Sequence, residues 1–161
     1  MAVLQDKGRT ALARAIAAQS IYLAWGRGLN AWDDAPEPEP TTAFGLVNEI
    51  GRRLVSSIQY VQPDGGGPIE LPDGSRYSTS AQPTKWLHVQ WTFDFADAAG
   101  EQVRELGIFV GGTVIAGLPP GQRYFPAAQV ATPGDLYCLE RIPVFTRNPG
   151  VRQVQEYVLP F

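Results

Sequence analysis

Trp86-Leu87-His88-Val89-Gln90-Trp91-Thr92-Phe93-Asp94-Phe95 decides the fold class. Leu87, Val89, Trp91, Phe93 and Phe95 fall on one side of an extended chain, and His88, Gln90, Thr92 and Asp94 on the other. A period of two is that of a strand, whose successive side chains point to opposite faces. The pattern predicts a strand with one buried and one wetter face. Ala96 to Gly100 reads as a turn, and Val103 to Val110 as a second strand. Gly111-Gly112 then turns the chain into Thr113 to Ala116.

Outward from this pair, the same punctuation recurs. Ile21 to Trp25 is a short apolar run closed by Gly26 and Gly28, the mark of a buried strand. Val55 to Val61 reads as a strand stopped by Pro63-Asp64-Gly65. Pro72-Asp73-Gly74-Ser75 between two extended runs, Ile69 to Leu71 and Arg76 to Ser78, is a hairpin signal. Leu136 to Val144 and Val151 to Leu159 complete the set, with Asn148-Pro149-Gly150 between them. One helix is expected, over about Lys7 to Gln19, where Leu4, Gly8, Leu12, Ala15 and Ile16 recur at spacings of three and four. Asp6 suits its N-cap or first turn. Thr41 or Thr42 is a candidate cap for a short helical turn around Phe44 to Ile50. Strands are not separated by long helices, so a parallel βαβ sheet is disfavoured. The expected architecture is mainly β (α+β): an antiparallel β-sandwich with the N-terminal α-helix packed on it, as a single domain over residues 1–161.

Composition narrows the function. The chain has 161 residues, 44% of them hydrophobic, enough for a packed core. Its net charge is −3 and its 13 basic residues are dispersed, so no Lys/Arg cluster is set to neutralise a row of phosphates or to hold a membrane surface. Neither nucleic acid nor membrane is expected as a partner. Cys138 is the only cysteine, which leaves no disulfide within the chain and no cysteine metal site, and suits a reducing cytoplasm. No uninterrupted apolar run of signal-peptide or membrane length occurs, and the chain reads as soluble.

The search for chemistry finds no catalytic, cofactor or metal constellation. His88 is the only histidine and is accounted for as a residue of a sheet face. Glu49, Asp94, Glu101 and Glu105 are candidates for a paired-carboxylate hydrolase, against the reading that they are turn residues and partners of nearby arginines. Gly65-Gly66-Gly67 lacks the Lys-Ser/Thr of a phosphate loop. Trp32-Asp33-Asp34-Ala35-Pro36-Glu37-Pro38-Glu39-Pro40 alternates proline with acid, which excludes helix and central strand. It predicts an exposed, partly extended loop over residues 32–42. Its acids are a candidate calcium cluster, though not at the spacing of an EF-hand. Trp32 is the tryptophan expected to be exposed, and with Asp33, Asp34, Pro36 and Pro38 forms the candidate interface.

Three segments, in order, carry a resemblance. They are the helix with Ile21-Tyr22-Leu23-Ala24-Trp25-Gly26-Arg27-Gly28, then Leu46-Val47-Asn48-Glu49-Ile50-Gly51-Arg52-Arg53, then Arg104-Glu105-Leu106-Gly107-Ile108-Phe109 with Val114 to Pro120. Together they resemble the N-terminal, baseplate-attaching tail-collar domain of bacteriophage tail-fibre proteins, over most of residues 7 to 140. The resemblance implies a non-catalytic virion protein of a phage tail, made in the host cytoplasm. Its implied partners are other baseplate and fibre proteins and copies of itself. A fibre protein continues into a long trimeric shaft, whereas this sequence stops at Phe161, which implies a short adaptor. The candidate structural residues are Asn48, Glu49, Arg52, Arg104, Glu105, Gly107 and Phe109. Arg104 or Arg52 is expected to pair with Glu49 or Glu105, and Gly107 to admit a close neighbour. A small carbohydrate- or receptor-binding sandwich is the alternative, and a tail-associated cell-wall hydrolase stands third.

Overall fold

The computed structural model describes residues 1–161. In chain order the elements are α1 (Asp6–Ala17), β1 (Ile21–Gly26), a 3-10 turn (Asn30–Asp33), β2 (Glu49–Leu54), β3 (Ser57–Pro63), β4 (Ile69–Glu70), β5 (Arg76–Thr79), β6 (Trp86–Phe93), β7 (Gln102–Val110), β8 (Thr113–Val114), β9 (Tyr124–Pro126), a second 3-10 turn (Ala127–Gln129), β10 (Val130–Thr132), β11 (Asp135–Thr146) and β12 (Gln153–Pro160). The fold class is the expected one. It is mainly β, in antiparallel sheets with one N-terminal helix, an element content consistent with a β-sandwich. The chain divides into two compact units, each assembled from separate stretches of sequence.

The first unit comprises Met1–Gln19, Val55–Trp91 and Val154–Phe161. Its sheet runs β12-β6-β3-β5-β4. Val61, Leu87, Val89 and Trp91 are fully buried, as the alternation predicts. The wetter face departs from expectation at His88, which is only 7% exposed. Its Nε2 lies 2.9 Å from Glu156 Oε2, a partner 68 residues away that hydrophobic periodicity does not reveal. The β4–β5 hairpin forms as predicted: Asp73 Oδ1 accepts the Ser75 amide at 2.9 Å, and Gly74 takes φ 82°. In α1, Gln5 is the N-cap and Asp6 lies in the first turn, where Lys85 Nζ donates to it at 2.8 Å.

The second unit comprises Ser20–Leu54 and Thr92–Gln153, with a five-stranded sheet in the order β11-β7-β1-β2-β9. Every residue of β1 is buried, and so is β7 from Val103 onward, so both faces of the sheet centre are covered. On one face Tyr22, Ala24, Phe109 and Phe125 form a core closed by Leu46, Leu54 and Leu136. On the other, Trp25 stacks on Phe93 with ring centroids 3.7 Å apart, and Phe145 meets it edge-on. Phe95, expected on the buried side, lies beyond the end of β6 and is 46% exposed.

One local expectation is corrected. No helical turn covers Phe44 to Ile50; Val47-Asn48 is a turn and Glu49 opens β2. The β1 edge recruits this segment as a strand, with Leu23 opposite Arg53 and Ala24 opposite Arg52. Beyond Gly111-Gly112, β8 pairs with β10, Val114 opposite Val130.

Candidate functional site

Within the second unit, Ile21 to Gly28, Leu46 to Arg53 and Arg104 to Phe109 interlock at one place. Asn48 sits at φ 56°, a left-handed conformation that asparagine tolerates better than most side chains. This turns the chain so that Arg27 N–H donates to Asn48 O and Gly28 N–H to Val47 O, both at 3.0 Å. The Val47 amide in turn donates to Glu105 Oε2 at 2.8 Å. Leu46 closes over Gly107, where a Cβ would stand 2.8 Å from Leu46 Cδ2, 3.1 Å from Leu136 Cδ1 and 3.2 Å from Phe109 Cε2. The expected close approach at Gly107 is therefore met by side chains on three sides.

Three arginines fix this junction. Arg52 points into the core face, its guanidinium carbon 4.0 Å from the centre of the Phe109 ring. It donates to both oxygens of Glu49 at 2.8 and 2.9 Å, and to Pro133 O at 2.6 Å. Such a planar fork matches a carboxylate bidentately, which an ammonium cannot do. The Arg52–Glu49 pairing is thus the expected one, and Arg104 takes a different partner. Arg104 donates to both oxygens of Asp33 at 2.8 Å and to Arg27 O at 3.1 Å. The bond from Arg104 holds the Asp33 carboxyl below the usual carboxylate range, and Asp33 raises Arg104 in return. Glu105 is held by Arg141 Nε at 3.2 Å.

Arg141, which the sequence reading did not single out, links the junction to the acidic proline loop. Its guanidinium carbon stands 4.1 Å from the centre of the Trp32 ring. It donates to Pro38 O at 3.0 Å, to Glu37 O at 3.2 Å and to Glu37 Oε2 at 3.3 Å. Its backbone N–H donates to Glu39 Oε1 at 2.9 Å, a bond that lowers the Glu39 pKa. The signal in the sequence was an arginine between Leu139 and Ile142 in a strand otherwise rich in apolar residues.

Trp32 corrects an expectation. The turn Asn30–Asp33 folds its indole down until 7% remains exposed. Gly28, at φ +62°, makes room for it: a Cβ there would stand 2.4 Å from Trp32 Cζ3. Asp33, Asp34, Pro36 and Pro38 are exposed above it. The loop is therefore on the surface but fastened, with Trp32 as its buried anchor. Beside it lies a cleft of about 330 Å³, walled by Trp32, Pro36, Ile142, Pro143 and Val144.

The carboxylates considered for hydrolysis are each engaged by an arginine. Glu49 holds Arg52, Glu101 holds Arg27 at 2.6 Å, Glu105 holds Arg141, and Asp94 holds Arg53 and Arg152. Asp97 also takes Arg53. The Arg27 bond lowers the Glu101 pKa, and the Arg152 bond, first among several, lowers that of Asp94. This is the arrangement of register-fixing ion pairs rather than of a proton donor and its partner base.

One family model matches residues 1–161, and its description is Baseplate wedge 3 tail fiber network component. A search of curated proteins finds no match.

Proposed function

The chain belongs to the family of baseplate wedge 3 tail fiber network components, and from that premise we propose that it docks into the baseplate of a phage tail and there carries or bridges tail fibres. The family gives a structural role in the baseplate and a place in the virion tail. The observation that carries the finer reading is the fastening of the acidic proline loop by Arg104 and Arg141. A loop already ordered in the free protein loses little conformational entropy on docking. Asp33, Asp34, Pro36 and Pro38 supply the exposed side of that surface, and α1 and the sheet edges supply further contacts. Trp32 contributes from beneath by holding the loop's shape. The sugar-binding alternative relied on an exposed aromatic platform, and the burial of Trp32 under Arg141 removes the residue put forward for it.

The test is genetic and structural. Phage in which this chain carries Arg104→Ala should assemble tails with fewer fibres, while the purified variant keeps its far-UV circular dichroism. Cryo-EM of wild-type tails should then place the chain where fibres meet the baseplate. Wild-type tails that contain none of this chain would overturn the reading.

A further inference from the structure

Two turns of the first unit share the tripeptide Pro-Asp-Gly, at Pro63-Asp64-Gly65 and at Pro72-Asp73-Gly74. No other aspartate or asparagine in the chain precedes a glycine. In an Asp-Gly pair the glycine nitrogen can attack the aspartate side-chain carbonyl carbon, because no glycine side chain shields it. A C–N bond forms, the carboxyl hydroxyl leaves with the amide proton as water, and a cyclic imide results. Water then adds at the main-chain carbonyl of the imide and breaks the original peptide C–N bond. The chain now runs through the side-chain carbon as isoaspartate, one methylene longer, and the old main-chain carbonyl is a free carboxylate. The water lost in the first step is regained in the second, and no other reactant is needed.

The fold treats the two pairs differently. Asp73 lies in the β4–β5 hairpin, which restrains both partners of the attack. The Gly74 N–H donates to Leu71 O and the Leu71 N–H to Ser75 O, both at 2.9 Å. Asp73 Oδ1 accepts the Ser75 hydroxyl at 2.6 Å and the Ser75 amide at 2.9 Å. The Ser75 hydroxyl, and then its amide, hold this carboxyl below the usual carboxylate range, and an ionised carboxylate loses oxygen far less readily than a carboxylic acid. Asp64 lies in the turn between β3 and β4. The Gly65 N–H donates to no main-chain carbonyl, and a Cβ on Gly65 would meet nothing within 4 Å, so an imide ring has room. Asp64, Gly65 and Gly66 are all exposed to water. The Gly66 N–H donates to Asp64 Oδ1 at 3.0 Å, which turns the carboxyl toward the main chain that follows it.

We propose that Asp64 is a site of isoaspartate formation in the folded chain, and that Asp73, in the same tripeptide, is protected by its hairpin. The change reaches the sheet. The Asp64 N–H donates to Arg76 O at 3.0 Å, and Asp64 O accepts the Gly67 N–H at 2.9 Å. The acceptor of the second bond is the carbonyl that isomerisation expels from the chain. Gly67 lies hard against the neighbouring strand, where a Cβ would stand 2.2 Å from Tyr77 O. Isoaspartate at Asp64 therefore loosens the end of β3, where Pro63 stands opposite Tyr77.

Storage of the folded protein for weeks at neutral pH and physiological temperature tests it. Isoaspartate is tagged with an isoaspartate-specific methyltransferase and located by peptide mapping. Formation at Asp64 should exceed formation at Asp73 several-fold. In urea only the shared tripeptide acts, and the two sites should react at similar rates. Asp64→Glu should abolish the folded-state signal, because the larger ring closes far more slowly. Ser75→Ala should raise formation at Asp73 and leave Asp64 unchanged. In the aged fraction, hydrogen exchange of amides 64 and 67 should accelerate while the β6 amides keep their protection. Equal formation at both sites of the folded chain, more at Asp73, or none at Asp64 would overturn the proposal.

Discussion

At the scale of single residues, the junction depends on what glycine leaves empty. Gly107 lies opposite Ala24 in β1 and beneath Leu46, and its missing side chain is the space that Leu46 occupies. Gly107→Ala would push a methyl group against Leu46, Leu136 and Phe109 together. Overpacking of this kind costs about 1–3 kcal/mol. Leu46→Ala removes the nearest clash but also a partly buried side chain. The two changes should therefore be less than additive, since the second relieves what the first imposes. Urea unfolding of the two single variants and the double variant measures the coupling. Strict additivity would mean that Leu46 does not rest on Gly107.

At the scale of elements, the loop of residues 33–40 is held by charge and should respond to acid. Asp33 and Glu39 both titrate lower in the folded chain than in the unfolded one, through bonds from Arg104 and from the Arg141 backbone. Their contribution is complete above the unfolded carboxylate range, near about 4, and is lost as pH falls through the lower folded values. Hydrogen exchange across residues 33–40 should accelerate in that acid window while the β1 amides stay protected. Arg141→Ala should produce the same loosening at neutral pH, because it removes the bonds to Glu37 and Pro38 together. Equal protection of the loop in wild type and variant at neutral pH would show that something else holds it. The sequence revealed such elements unevenly. β6 was legible because four of its alternate residues are large and apolar. β2 was not, because Glu49, Arg52 and Arg53 sit where a buried strand is expected to be apolar. The two arginines meet Phe109, Pro133 and Asp97, which lie 44 or more residues away in the chain. Trp32 was misjudged for the same reason: the acids around it predict solvent, and only the folded chain brings Arg104 and Arg141 to neutralise them. The order of the motif residues along the chain is visible in the sequence. Which arginine meets which acid depends on strand register, which the order does not contain.

At the scale of the whole molecule, neither compact unit is a continuous piece of chain. The second unit needs Ser20–Leu54 as well as Thr92–Gln153, since β1 lies between β7 and β2 in its sheet. A cut between Leu54 and Val55 falls in the short link between β2 and β3 and leaves every strand whole. It nonetheless separates Trp25 from Phe93, Tyr22 from Phe109, and Arg52 from the ring beneath it. The piece Met1–Leu54 keeps the β1–β2 pair, and two strands alone are marginal in water. The piece Val55–Phe161 keeps β7 with one open edge and an uncovered apolar face, which invites aggregation. Neither should show a cooperative urea transition or the near-ultraviolet signal of packed tryptophans. Mixed in equal amounts, they should recover both, because each piece carries the surface that the other needs to bury. The idea fails if Val55–Phe161 alone unfolds cooperatively with its β7 amides protected from exchange, for then β1 would be an accessory to that sheet rather than its central strand.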